Sequence, residues 1–104
     1  MKVKLFDDKV ETFIDSLEIQ AVSRLLRTLD LLEMFGNELG PPHSKKIESR
    51  LFELRVRGKQ EVRIFYAFYS GEVVLLHGFI KKSQRIPKKE IKIARQKLKA
   101  LDGV

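Results

Sequence analysis

Between Leu51 and Pro87 the chain reads LFELRVRGKQEVRIFYAFYSGEVVLLHGFIKKSQRIP. This order of residues suits an antiparallel meander and little else. Phe52, Leu54 and Val56 alternate with Glu53, Arg55 and Arg57, the period of two that sends successive side chains to opposite faces of a sheet. Gly58-Lys59-Gln60 makes a turn, and Val62 to Tyr69 follows with apolar residues in both alternating sets. A strand apolar on both sides belongs in the middle of a sheet. Ser70-Gly71-Glu72 turns the chain again into Val73–Ile80, a third strand apolar on both sides. One face of the meander therefore needs a cover, and part of the other carries charge.

The rest of the chain supplies the cover. Lys2–Phe6 alternates polar and apolar residues and predicts a short first strand that extends the sheet. Asp7-Asp8 predicts a helix N-cap, with Asp8 and Glu11 at capping-box spacing. Val10, Phe13, Ile14 and Leu17 then form one apolar stripe. A second helix is predicted over Ile19–Phe35, with Val22, Leu25, Leu26, Leu29 and Leu32 facing inward, Arg24, Arg27 and Asp30 facing water, and Gly36-Asn37 as its stop. Asn37–Lys46 reads as a loop, because Gly40-Pro41-Pro42 continues neither periodicity. After Pro87, Ile91, Ala94, Leu98 and Leu101 mark a narrow apolar seam on a basic helix ending near Gly103. The order is β-α-α-β-β-β-α, an α+β arrangement in which the first strand and a two-helix hairpin pack on an antiparallel sheet. At 104 residues and 43% apolar the chain holds one core, so residues 1–104 form a single domain.

Charge and composition narrow the function. Residues 1–80 carry twelve Lys or Arg against twelve Asp or Glu, whereas residues 81–104 carry nine basic residues against two acidic ones. The whole net charge of +7 thus sits in the last quarter, which favours a polyanionic partner over a merely solvated helix face. No apolar run approaches the roughly 18 residues of a membrane span. The N-terminus MKVKLFDDK lacks a signal-peptide core, so the expected location is the cytoplasm. With no cysteine and two isolated histidines, no metal or small-molecule cofactor is expected. Neither a phosphate-cradling Gly-rich loop nor a Ser-His-Asp arrangement is present.

What remains is the polar face of the meander. Glu53, Arg55 and Arg57 share it, Arg63 joins them if Val62, Ile64 and Tyr66 point to the core, and Lys81 and Lys82 leave the last strand beside it. Guanidinium forks match phosphate oxygens and stay charged, so such a cluster suits a phosphodiester. Cross-strand ion pairs, Glu53 with Arg63 or Arg55, are the structural alternative, each contributing under about 1 kcal/mol on an exposed face. His77 reads as a hydrogen-bonded, half-buried residue, and His43 in the Pro-rich loop is free to approach the patch. Tyr69 is the aromatic placed for base stacking, and Lys97 falls on the solvated side of the last helix.

Leu51-Phe52-Glu53-Leu54-Arg55, VRIFYAF at Val62–Phe68, LLHGFIKKSQRIPKKEI at Leu75–Ile91 and GPPHSKKIE at Gly40–Glu48 resemble the phage-derived branch of HigB-like toxins. These belong to the RelE/ParE superfamily of type II toxin–antitoxin modules. The likeness covers essentially the whole chain, and its most specific part is FIKKSQRIPKKEI. It implies a RelE-like fold and a ribosome-dependent mRNA interferase. In such toxins the ribose 2′-hydroxyl attacks the adjacent phosphate, leaving a 2′,3′-cyclic phosphate and a 5′-hydroxyl.

Carried onto this chain, the resemblance makes Arg55 and Arg63 the grips on the scissile phosphate. Lys82, or its neighbour Lys81, stabilises the leaving oxygen or the transition state. Arg85, Lys88, Lys92 and Arg95 become the contacts to ribosomal RNA. Glu53 stands where RelE itself has a lysine, and the C-terminal tyrosine of RelE has no counterpart here. An arginine does not deprotonate, so Glu53, His43 or His77 is left to take the proton, Glu53 being geometrically simplest. The implied partners are a helix-turn-helix antitoxin, the ribosome and mRNA. A ParE-like inhibitor of DNA gyrase and an RNA-binding module without cleavage are the competing readings.

Overall fold

In a computed structural model, which describes residues 1–103, the meander is the centre of a five-stranded sheet. The elements are β1 (Val3–Leu5), α1 (Asp8–Asp15), α2 (Ile19–Phe35), β2 (Ser44–Glu48), β3 (Leu51–Val56), β4 (Val62–Tyr69), β5 (Glu72–Ile80) and α3 (Lys88–Leu101). The strand order is β1-β5-β4-β3-β2, antiparallel throughout except that β1 lies parallel to β5. The α+β class and RelE-like arrangement expected from the sequence are therefore those observed. Among the described residues no helix is long and apolar enough to cross a membrane.

The helices cover both faces of the sheet. Leu54, Val56, Val62, Ile64, Tyr66, Val73 and Leu75 pack beneath Val10 of α1 and Ala21, Leu25 and Leu32 of α2. On the opposite face Leu51, Phe65, Ala67, Val74 and Leu76 pack against Ile91 and Ala94 of α3. This explains why β4 and β5 are apolar on both sides. It also gives α3 its seam: fully burying a residue such as Ile91 stabilises by roughly 1.5–3 kcal/mol. Ion pairs tie the middle of α3 to its neighbours, with Arg95 on Glu48 of β2 at 2.6 Å and Lys97 on Asp7 before α1 at 3.0 Å.

Several local expectations change. The cap of α1 is Asp7, whose carboxylate accepts from the Val10 N–H at 3.2 Å; Asp8 is already helical, so Glu11 closes no box with it. Burial pushes the Asp7 carboxyl up, but the Lys97 bond and the Val10 N–H outweigh it and hold the group below its ordinary value. The inward stripe of α2 is Ala21, Leu25, Thr28 and Leu32, and Leu26 is 55% exposed. Lys97 is only 13% exposed, with its ammonium over the Phe6 ring, so it is a structural lysine and not a solvated one.

The segment read as a loop through Lys46 contains a strand, β2, paired with β3 at Lys45↔Glu53. Lysines are common on edge strands because they discourage pairing with another chain, and here they hide the strand's pattern. The strand is pinned inside by the buried Ser44 hydroxyl, 2.5 Å from the Tyr66 hydroxyl. Burial raises the Tyr66 phenol above its ordinary pKa.

Candidate phosphate-binding site

The site grows out of the period-two alternation of β3. Because Leu54 and Val56 enter the core under α1 and α2, Glu53 and Arg55 must point to the α3 face. The same logic turns Arg63 to that face, since its neighbours Val62 and Ile64 enter the helix-hairpin core. The register then sets Arg55 directly opposite Arg63. Directly opposed Cβ atoms lie about 4.5–5.5 Å apart, and like charges placed so are destabilising.

Burial sharpens the conflict. Arg63 is 4% exposed and Glu53 3% exposed. Arg55 Nε donates to Glu53 Oε1 at 3.0 Å, which absorbs that carboxylate oxygen. Arg63 has poorer company: Nη1 donates to the Val62 carbonyl at 3.0 Å and Nη2 to Glu61 Oε1 at 3.4 Å. Its buried Nε has no partner among the described residues. A buried donor left unsatisfied costs about 1–3 kcal/mol, and more on a charged group. Such a group is rare in a folded protein, and a water, an ion or a ligand can complete the set.

Both guanidiniums open into a cleft of about 480 Å³, lined also by Arg57, Glu61, Lys81, Lys82, Ser83 and Gln84. The backbone N–H of Lys81 donates to the Glu61 carbonyl at 2.8 Å, fixing the start of the lysine loop against the β3–β4 turn. Five cations thus border a cleft with one carboxylate at its rim and a second, Glu53, buried below Arg55. Glu61 is held ionised: the Gly58 N–H lowers its pKa most, burial opposes this, and Arg63 and Arg57 add to the lowering. An arrangement of this kind binds anions, and forked donors favour a phosphate group.

The residues singled out from the sequence divide into two sets. Arg55, Arg63, Lys81 and Lys82 come together, with Glu53 beneath them. Arg85 and Lys88 line an adjoining hollow of about 230 Å³ that shares Lys81 and Lys82, so they extend the basic surface. Lys92 is exposed on α3, while Arg95 is drawn to Glu48 on β2 and lines a separate hollow. Tyr69, 41% exposed, stands at the β4–β5 turn, at the opposite end of β4 from Arg63.

His77 and Glu90 form a hydrogen bond of 2.8 Å between β5 and α3. A bulge makes this possible, because the register passes from Phe65↔His77 to Tyr66↔Leu75 and leaves Leu76 and His77 on one face. His43 is tied to β3 by its backbone, its carbonyl accepting from the Arg55 N–H at 2.8 Å, and it lines a neighbouring hollow rather than the cleft itself.

Three contributors were missed in the sequence. Glu61, between the turn and β4, carries no pattern in the sequence, and Arg24 and Arg27 read there as the water-facing side of α2. The available signal was Gly58, where any Cβ would collide with the Arg24 guanidinium lying across the turn.

The family described as Phage derived protein Gp49-like (DUF891) matches residues 12–99. No match to a curated protein was found. The chain belongs to this Gp49-like family, a family of toxins from toxin–antitoxin modules related to RelE and ParE.

Proposed function

We propose that this Gp49-like toxin is a ribosome-dependent mRNA interferase whose cleft grips the scissile phosphate. The observation that carries the reading is the buried Arg63 guanidinium, its Nε without a partner among the described residues, set in register against Arg55. Glu53 holds the half-buried Arg55 and Glu61 reaches the buried Arg63 only at 3.4 Å, so the two opposed charges are offset in part and a further anion completes the set. A phosphodiester does so, accepting from both forks through its non-bridging oxygens.

In the reaction, the 2′-oxygen attacks phosphorus and the bond from phosphorus to the 5′-oxygen breaks. Negative charge grows on the equatorial oxygens, where Arg55 and Arg63 meet it in a preorganised site. Lys82, with Lys81 beside it, faces the leaving 5′-oxygen and stabilises its charge until a proton from solvent water converts it to the 5′-hydroxyl. Glu53 holds Arg55 through Oε1; Oε2, which makes no hydrogen bond among the described residues, accepts the 2′-hydroxyl proton. The products are a 2′,3′-cyclic phosphate and a 5′-hydroxyl. Exposed Arg85, Lys88 and Lys92 face ribosomal RNA, with Arg95 at the edge of that surface, and the binding weakens steeply with salt. A helix-turn-helix antitoxin masks the same basic surface in the resting cell.

The test is expression in bacteria with mRNA 5′ ends mapped alongside DNA breaks. Codon-phased new ends that disappear in Arg63→Ala support the interferase. Gyrase-linked DNA breaks with intact mRNA overturn it in favour of a ParE-like poison. Ribosome binding without new ends leaves an RNA-binding module.

A further inference from the structure

Beside the phosphate cleft lies a second hollow of different chemistry, about 370 Å³, between α2, the Pro42–His43 turn and the end of β3. Its size falls within the roughly 300–1,000 Å³ usual for small-ligand sites. Val56 and Leu31 give it an apolar floor, and Arg24, Arg27 and His43 form its rim. Arg55 and Arg57 border both hollows, so the two are adjacent and share these residues of β3 and its turn.

We infer that this hollow is a nucleobase subsite, holding the base next to the phosphate gripped by Arg55 and Arg63. The inference rests on the proposed phosphate site and names what lies beside it. An apolar floor under planar cationic groups suits a base: its faces stack on guanidinium and imidazole planes, and its edge finds donors at the rim. Among the described residues neither Arg24 nor Arg27 forms an ion pair, so both rim forks are open to a ligand. Arg24 is held toward the sheet because Gly58 leaves room for its guanidinium across the β3–β4 turn. The cationic rim, continuous with the phosphate cleft, favours an RNA segment over an apolar peptide. The shared Arg55–Arg57 wall sets phosphate and base in one path along the strand. On this basis Arg24, Arg27 and His43 are specificity-determining residues: they choose which nucleotide is presented, while the sheet arginines act on any phosphodiester.

The experiment compares two probes, adenosine 3′-monophosphate and ribose 5-phosphate, titrated into the full-length protein. NMR would follow the Arg63 Nε–H and the Leu31 and Val56 methyls. Both probes are expected to move the Arg63 signal, and only the nucleotide moves the methyls. In Arg24→Ala the nucleotide's affinity should fall about tenfold, within the range for loss of one stacked base, and ribose 5-phosphate binding should change much less. A nucleotide that moves Arg63 but leaves both methyls unmoved overturns the base subsite and leaves the phosphate site standing. Arg63 unmoved by either probe overturns the phosphate reading and the subsite with it. Unfolding of Arg24→Ala is read from the same spectra, and Arg27→Ala, one turn along α2, then serves as the second variant with the same expected result.

Discussion

Replacing Arg63 by methionine separates a residue kept for function from one kept for stability. Arg63 is buried, opposes Arg55 in register, reaches Glu61 only at 3.4 Å and leaves Nε without a partner. Methionine occupies similar length with no charge to desolvate. Exchanging a buried ion pair for apolar side chains is neutral or stabilising by about 1–4 kcal/mol. Removing the like-charge opposition with Arg55 adds up to about 1 kcal/mol. Against this stands the bond to the Val62 carbonyl, about 1 kcal/mol net.

Glu61 keeps the Gly58 N–H and Arg57, so it is not stranded. With Glu61 retained only the low end of that exchange applies, about 1–2 kcal/mol, and the relief from Arg55 offsets the lost Val62 bond. The sum favours the variant by about 1–2 kcal/mol, a rise in Tm of about 4–8 °C for each kcal/mol in a domain near this size. Were Arg63 structural, breaking its buried pair would cost about 3–5 kcal/mol. The two accounts differ in sign. Thermal unfolding by circular dichroism decides between them, beside mRNA cleavage on translating ribosomes, which should fall by about 100- to 1,000-fold. A methionine variant with Tm lowered by about 10 °C or more would refute the reasoning, whatever its activity.

Three further outcomes are expected. Lys82→Ala should lower cleavage about tenfold, equivalent to roughly 1.4 kcal/mol in the barrier, whereas the equally exposed Lys99→Ala should not; equal losses would reduce the lysine pair to a general tether. Glu61 has a depressed folded pKa, so the stability it contributes is present above its unfolded value of 4.5 and is lost as pH falls through the lower folded value. Urea unfolding of Glu61→Gln should therefore show a smaller stability difference between neutral and acid pH than the parent, and an unchanged difference would remove Glu61 from that linkage. Gly78→Ala sets a methyl group into the Phe13 ring of α1, and overpacking of this kind costs typically about 1–3 kcal/mol, measurable as a lowered urea midpoint.

The strands β3 to β5 were legible because apolar alternation is a local signal, read directly from Phe52, Leu54, Val56 and the two-sided runs after them. The seam of α3 was legible for the same reason, since Ile91, Ala94, Leu98 and Leu101 can share one face only on a helix. The strand β2 was not, because its partner is distant in sequence and its exposed lysines carry no pattern. Lys97 was misplaced because its environment is made by Asp7 and Phe6 from the other end of the chain. On α2 the inward Val22, Leu25, Leu29 and Leu32 were legible, but Leu26 is exposed and Thr28 is buried, since residue type on a helix does not announce where the edge of the packed face lies.

By itself the sequence determined the α+β class, the order of most elements, the confinement of the net charge to the last quarter and the identity of the cationic residues around the sheet. Those properties follow from local periodicity and from counting. The tertiary structure alone decided that Arg63 is buried with an open donor, that Glu53 lies beneath Arg55, and that Arg24, Arg27 and His43 wall a second hollow beside them. Burial, register and shared walls depend on which distant segments meet, and only the folded chain brings β2, α2 and the β3–β4 turn to the same end of the sheet.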